Sequence, residues 1–98
     1  MIVAATRLTL LIPGNDSLKG KRKVVKSLIE KTRHKFDAAL AEVGDNDLWQ
    51  KAQVGVALVG NDPQLLEARM QQIRKFIENQ YMVEIIDSHM EFCYLKEK

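Results

Sequence analysis

The chain has one cysteine, Cys93, and nothing for it to pair with. That excludes an internal disulfide, a CxxC redox motif and a thiolate-rich zinc site, and it fits a reducing compartment, so a cytoplasmic protein is expected. No run approaches the roughly 18 apolar residues of a membrane helix, and no membrane association is expected. The amino-terminal MIVAATRLTLLIPG has no basic start, is broken by Arg7 and lacks a small-residue cleavage site, so it is expected to be a strand and not an export signal. Two prolines and five glycines are too few and too scattered for a linker or a low-complexity tract. With 46% hydrophobic and 29% charged residues in 98, composition points to one ordinary core, and residues 1–98 are expected to form a single domain.

Acidic charge is scarce where basic charge is dense. Ser17 to Lys35 holds eight of the fifteen Lys and Arg residues (Lys19, Lys21, Arg22, Lys23, Lys26, Lys31, Arg33 and Lys35) against one acid, Glu30. The segment is formally +7; the remaining seven bases and twelve acids make −5, so a net charge of +2 conceals a polarised molecule. Such segregation exceeds what solubility needs and points to a polyanionic partner.

Ile2, Ala4, Thr6, Leu8, Leu10 and Ile12 alternate with Val3, Ala5, Arg7, Thr9 and Leu11, which predicts a strand whose even face is core. Pro13 to Asp16 is turn chemistry, and Asp16 or Ser17 is placed to cap a helix. In that helix Leu18, Val25, Leu28, Ile29, Thr32 and Phe36 share one side, with Val24 at its margin. Lys21 falls inside this apolar sector, which predicts a buried stem with the amine snorkelling to water. Gly20 in the first turn predicts close backbone approach.

Phe36 to Val43 reads as a second strand, Gly44 to Asp47 as a turn and Ala52 to Gly60 as a third strand, in which Gly55 marks a bulge or a close neighbour. Asp62 and Pro63 then open a second helix running to about Asn79, with Leu65, Leu66, Met70, Ile73, Phe76 and Ile77 inward. Met82 to Leu95 reads as the last strand, with Ile86, Ser88, Met90, Phe92 and Tyr94 on one face and Asp87, His89, Glu91 and Cys93 on the other. The order βαββαβ predicts an α+β, ferredoxin-like sandwich: a four-stranded antiparallel sheet with both helices on one face.

Three stretches also resemble one family. Leu11-Ile12-Pro13-Gly14, the run Ser17-Leu18-Lys19-x-Lys21-Arg22-x-Val24-Val25-x-Ser27-Leu28, and Glu42-Val43-Gly44-Asp45-x-Asp47-Leu48-Trp49-Gln50 are similar to the YlxP-like family, small bacterial proteins carried as a domain of unknown function. The resemblance implies a ferredoxin-like fold and a link to RNA binding or ribosome maturation, which we read as maturation of the small subunit. It brings no catalytic residues. Where that family often has a charged residue after Lys19, this chain has Gly20.

The candidate nucleic-acid-binding residues are Lys19, Lys21, Arg22, Lys23, Lys26 and Arg33 on the first helix, with Trp49 and Lys51 beyond it. Helical spacing sets Lys19, Arg22, Lys23, Lys26 and Arg33 along one stripe, where they can meet successive phosphates. The helix start beside Lys19 and Lys21 is a further place for an anion, opposed by Asp16. Leu48 and Trp49 are expected to fold back over the edge of the core, since tryptophan is usually highly buried. If exposed, the indole could stack on a base. The central strands offer no aromatic residue on the open face, which argues against base stacking on the sheet as in RRM domains.

Glu42, Asp45 and Asp47 lack calcium-loop spacing, and His34 and His89 have no ligand-spaced neighbour, so neither a metal nor a cofactor is expected. Ser17 and Ser27 lack a base and an orienting partner, and no enzymatic activity is expected. The reading is a non-enzymatic protein associated with ribosomal RNA or a ribosomal particle. The alternative is a self-associating interaction module, a homo-oligomer that buries the apolar open face formed by Val3, Ala5, Leu11, Ala57, Val59 and Ile85.

Overall fold

A computed structural model describes residues 1–80 and 82–96. The elements are β1 (Ile2–Leu11), α1 (Leu18–Phe36), β2 (Ala39–Gly44), β3 (Lys51–Gly60), α2 (Pro63–Glu78) and β4 (Glu84–Tyr94). All strand pairs are antiparallel and the sheet order is β2-β3-β1-β4. This is the ferredoxin-like α+β fold that the sequence predicts.

Both helices begin as the capping residues dictate. Ser17 Oγ accepts the Gly20 N–H at 3.0 Å, and Asp62 Oδ1 accepts Gln64 N–H at 3.0 Å, with Pro63 in the first turn. The first helix outruns the expected boundary: Phe36 closes it instead of opening the next strand. Asp37 adopts the left-handed conformation (φ 53°) and donates its N–H to Arg33 O, which turns the chain into β2.

The even face of β1 is core, as alternation requires: Ile2, Ala4, Thr6, Leu8, Leu10 and Ile12 are all buried. Ala52, Val54, Val56 and Leu58 of β3 extend it, covered by Val25, Leu28 and Thr32 of α1 and by Leu66, Met70, Ile73 and Ile77 of α2. Leu65, expected inward, is exposed at the rim of the first turn of α2. At the far end the Phe36 and Phe76 rings meet edge to face at 5.5 Å, with the Lys35 amine near both.

Two bulges alter the strand faces. In β4 the register with β1 shifts between Thr9, opposite Asp87, and Leu10, opposite Ile85, so Ile86 is the extra residue. The alternation therefore slips by one: Ile85 packs against the core and Ile86 is 51% exposed, the reverse of the expected assignment. In β2 the shift between Glu42 and Gly44 makes Val43 the extra residue. Its side chain lies over Gly55, where a Cβ would stand 3.0 Å from Val43 Cγ1, the close neighbour that Gly55 implies.

Candidate nucleic-acid interface

Helix α1 divides its cations by exposure. Lys19, Arg22, Lys23, Lys26, Lys31, Arg33 and Lys35 are exposed, and among the described residues none of them lies within ion-pair distance of a carboxylate. From Lys19 to Arg33 the axial rise is about 21 Å, so the stripe is long enough to follow several phosphates. Glu30 interrupts it. Arg22, Lys26 and Arg33 line one groove of about 500 Å³ with Val25, Ile29, Glu30 and Glu42. Arg33 also donates from Nη2 to the carbonyl of Leu40 at 2.7 Å, which fixes its guanidinium beside β2 with other donors left over.

Lys21 does not belong to this surface. Its side chain is wholly buried, its Nζ lies 3.2 Å from Glu42 Oε2, and it donates to the backbone carbonyl of Asp45. The expected snorkelling fails because β2 brings Glu42, from its core-facing row, under the first turn of α1. Oε2 accepts no well-aligned hydrogen bond, so the contact is principally Coulombic. With the amine turned inward, the helix start keeps only Lys19 of the two cations expected there.

The β2–β3 turn is held against that helix start by its backbone. Asn15 donates from Nδ2 to the carbonyls of Ser17 (2.7 Å) and Trp49; Gln50 donates from Nε2 to Asn15 O (3.1 Å); and Ile12 N–H donates to Gln50 O (2.8 Å). A Cβ on Gly20 would stand 2.5 Å from Asn15 Oδ1 and 3.0 Å from Ser17 Oγ. Gly20 is thus the close approach that its position predicts, and it makes room for the Asn15 bracket.

That bracket decides the disposition of Trp49. The expectation that Leu48 and Trp49 fold back over the core is overturned: Trp49 is 55% exposed and Leu48 is exposed beside it. The backbone of residues 49 and 50 takes the inward position, and the indole is left outside. It borders a shallow hollow with Leu11, Leu48, Gln50 and half-buried Lys51. Asn15 was the signal missed, since a turn residue with an amide side chain can bridge two loops.

The remaining polar candidates do not converge. Asp45 Oδ2 accepts from Gln53 Nε2 at 3.0 Å, Glu42 is spent on Lys21 and Asp47 is exposed at the turn. No group of three metal-ligating side chains occurs among the described residues. His34 is exposed on α1; exposed His89 of β4 lies 3.7 Å from Glu91 and shares a row with Arg7, and Cys93 is exposed. The open face of the central strands β3 and β1 carries Gly55, Ala57, Val59, Val3, Ala5, Arg7 and Thr9, with no aromatic ring. No helix among the described residues is long and apolar enough to cross a membrane.

A family model described as "Protein of unknown function (DUF503)" matches residues 3–90. The chain belongs to the DUF503 family. It is 33% identical over 63 residues to the uncharacterized protein YlxP of Bacillus subtilis (strain 168), covering 64% of this chain and 68% of that one. The solved structure of protein YJCS superposes with a TM-score of 0.53 and 13% identity, over 91% of this chain and 96% of that chain, a likeness of fold alone. The DUF503 match spans β1 to the middle of β4, and so includes α1, the Asn15 bracket and Trp49.

Proposed function

We propose that this DUF503 protein binds RNA, within a ribosomal particle and in support of small-subunit maturation, and that it acts by binding and not by catalysis. The observation that carries the reading is the row of exposed cations on α1, none of them ion-paired among the described residues, in a chain whose remainder is acidic. Lys19, Arg22, Lys23, Lys26 and Arg33 contact phosphates, and residues 44–49 form the rim. Neutralising phosphates releases condensed counterions, so the affinity depends on salt. Five contacts to a single strand imply about a 100-fold loss between 50 and 200 mM salt.

Sedimentation with ribosomal particles from a lysate tests this. Co-migration with the small subunit at low salt, fading as salt rises and lost in the doubly reversed Lys23→Glu, Lys26→Glu variant, is the expected result. Absence from every ribosomal fraction at low salt, or binding unchanged by the charge reversal, overturns it.

The open sheet face favours a second reading, self-association. Val43 and Val59 are exposed, and Ala5, Ala39, Ala41 and Ala57 pave the surface around Gly55. A second copy packed face to face would take this area out of water.

A further inference from the structure

We propose that Trp49 is a stacking platform for an unpaired base, so that the RNA bound along α1 is single-stranded where it passes the helix start. This rests on the RNA-binding reading above and specifies the form of the ligand. Trp49 is the chain's one tryptophan, and it stands more than half exposed although the apolar side chains of Leu11 and Leu48 lie beside it. The backbone that carries it is tied down. Asn15 holds its carbonyl, Gln50 beside it accepts from Ile12 N–H and donates to Asn15 O in the loop before α1, and Leu48 N–H closes the turn on Asp45 O at 3.1 Å. A backbone fixed in this way presents the indole to a flat ligand without the cost of ordering the loop.

The charges around it select the ligand. Asn15 joins Trp49 to Ser17, two residues before Lys19, while Lys51 lines the hollow beside the ring. Asp16 and Asp47 are exposed at the loop tips and repel phosphate there. A strand that keeps its phosphates on α1 and Lys51 and turns a base onto the indole satisfies both signs. A duplex cannot do so, because its base faces are already covered by their neighbours. The site also differs from stacking on the sheet, whose central strands carry no ring on the open face.

The test uses the fluorescence of Trp49 with an unstructured RNA of about 12 nucleotides, the same RNA made abasic, and a matched duplex. The expected result is quenching by the unpaired RNA that disappears with the abasic strand. Trp49→Ala should weaken the unpaired RNA by about 5- to 100-fold, leave the duplex unaffected and leave the salt slope unchanged. Trp49→Phe, which keeps an aromatic face, should restore most of that loss. Lys23→Glu with Lys26→Glu should weaken both RNAs together. If Trp49→Ala binds the unpaired RNA as the wild type does and the wild-type fluorescence is unmoved, stacking is overturned while phosphate binding stands. If neither RNA binds at low salt, the RNA-binding reading fails and this inference fails with it.

Discussion

Lys21 Nζ lies 3.2 Å from Glu42 Oε2, and no part of the lysine side chain is exposed. The pair joins the first turn of α1 to β2, and the amine's second partner, the carbonyl of Asp45, carries the tie on to the β2–β3 turn. The two charges are unequal in their access to water, since Glu42 keeps 20% of its side chain exposed.

That asymmetry sets the first prediction. Glu42→Ala strands a buried ammonium and should cost about 3 kcal/mol, whereas Lys21→Met leaves a carboxylate that can hydrate and should cost much less. The double change Lys21→Met, Glu42→Leu should be near neutral, because two well-packed apolar side chains replace the pair. Denaturant unfolding with equal m-values would measure all three. Equal costs for the two single changes would show that the pair is hydrated in solution.

Gly20→Ala should fail to stabilise α1. Alanine normally gains about 1 kcal/mol over glycine inside a helix. Here the methyl would have to displace Asn15, whose amide is held by Ser17 and Trp49. Unchanged or reduced stability is expected, with faster hydrogen exchange at residues 48–51 as the bracket loosens. A stabilised variant with loop protection intact would mean that Asn15 yields freely.

Ile85 and Ile86 should respond in opposite ways to truncation. The bulge puts Ile85 opposite Leu10 against the core and leaves Ile86 as the extra, exposed residue. Ile85→Ala should cost about 2 kcal/mol, and Ile86→Ala should stay within about 0.5 kcal/mol. Equal losses, or a larger loss at Ile86, would put the register shift elsewhere in the strand.

These residues also mark how far the sequence could be read. Alternation in β1, the two caps and the apolar helix stripes determine the fold almost alone, because each is a local periodicity. The bulge at Ile86 breaks that periodicity with an ordinary residue, so parity carried through β4 gave the wrong face. Lys21 was visible as a charge in the apolar sector of α1, and Glu42 as an acid near the end of the second strand. Their pairing needed the topology that lays β2 beside the start of α1. The exposed cations of α1 were legible from helical spacing. The exposure of Trp49 was not, because it depends on Asn15 holding the neighbouring backbone from 34 residues away.

Self-association, the second reading of this fold, predicts a dimer formed through the sheet face and not through its β2 edge. Arg33 already occupies the carbonyl of Leu40 on edge strand β2, and the Val43 bulge bends that strand, so pairing at the β2 edge is obstructed. The face is different: Val43 and Val59 stand exposed over a floor of alanines, with exposed Arg7 opposite Gly55 as a long side chain that a second sheet would have to displace on the central strands. Sedimentation equilibrium should show mass rising with concentration, and Val43→Lys with Val59→Lys should hold the protein monomeric without loss of fold. Salt should strengthen or spare this association, since apolar burial drives it, whereas the proposed RNA binding through α1 should weaken with salt. A protein that stays monomeric at millimolar concentration would eliminate the sheet face as a self-association surface and leave α1 as the surface that accounts for the charge asymmetry.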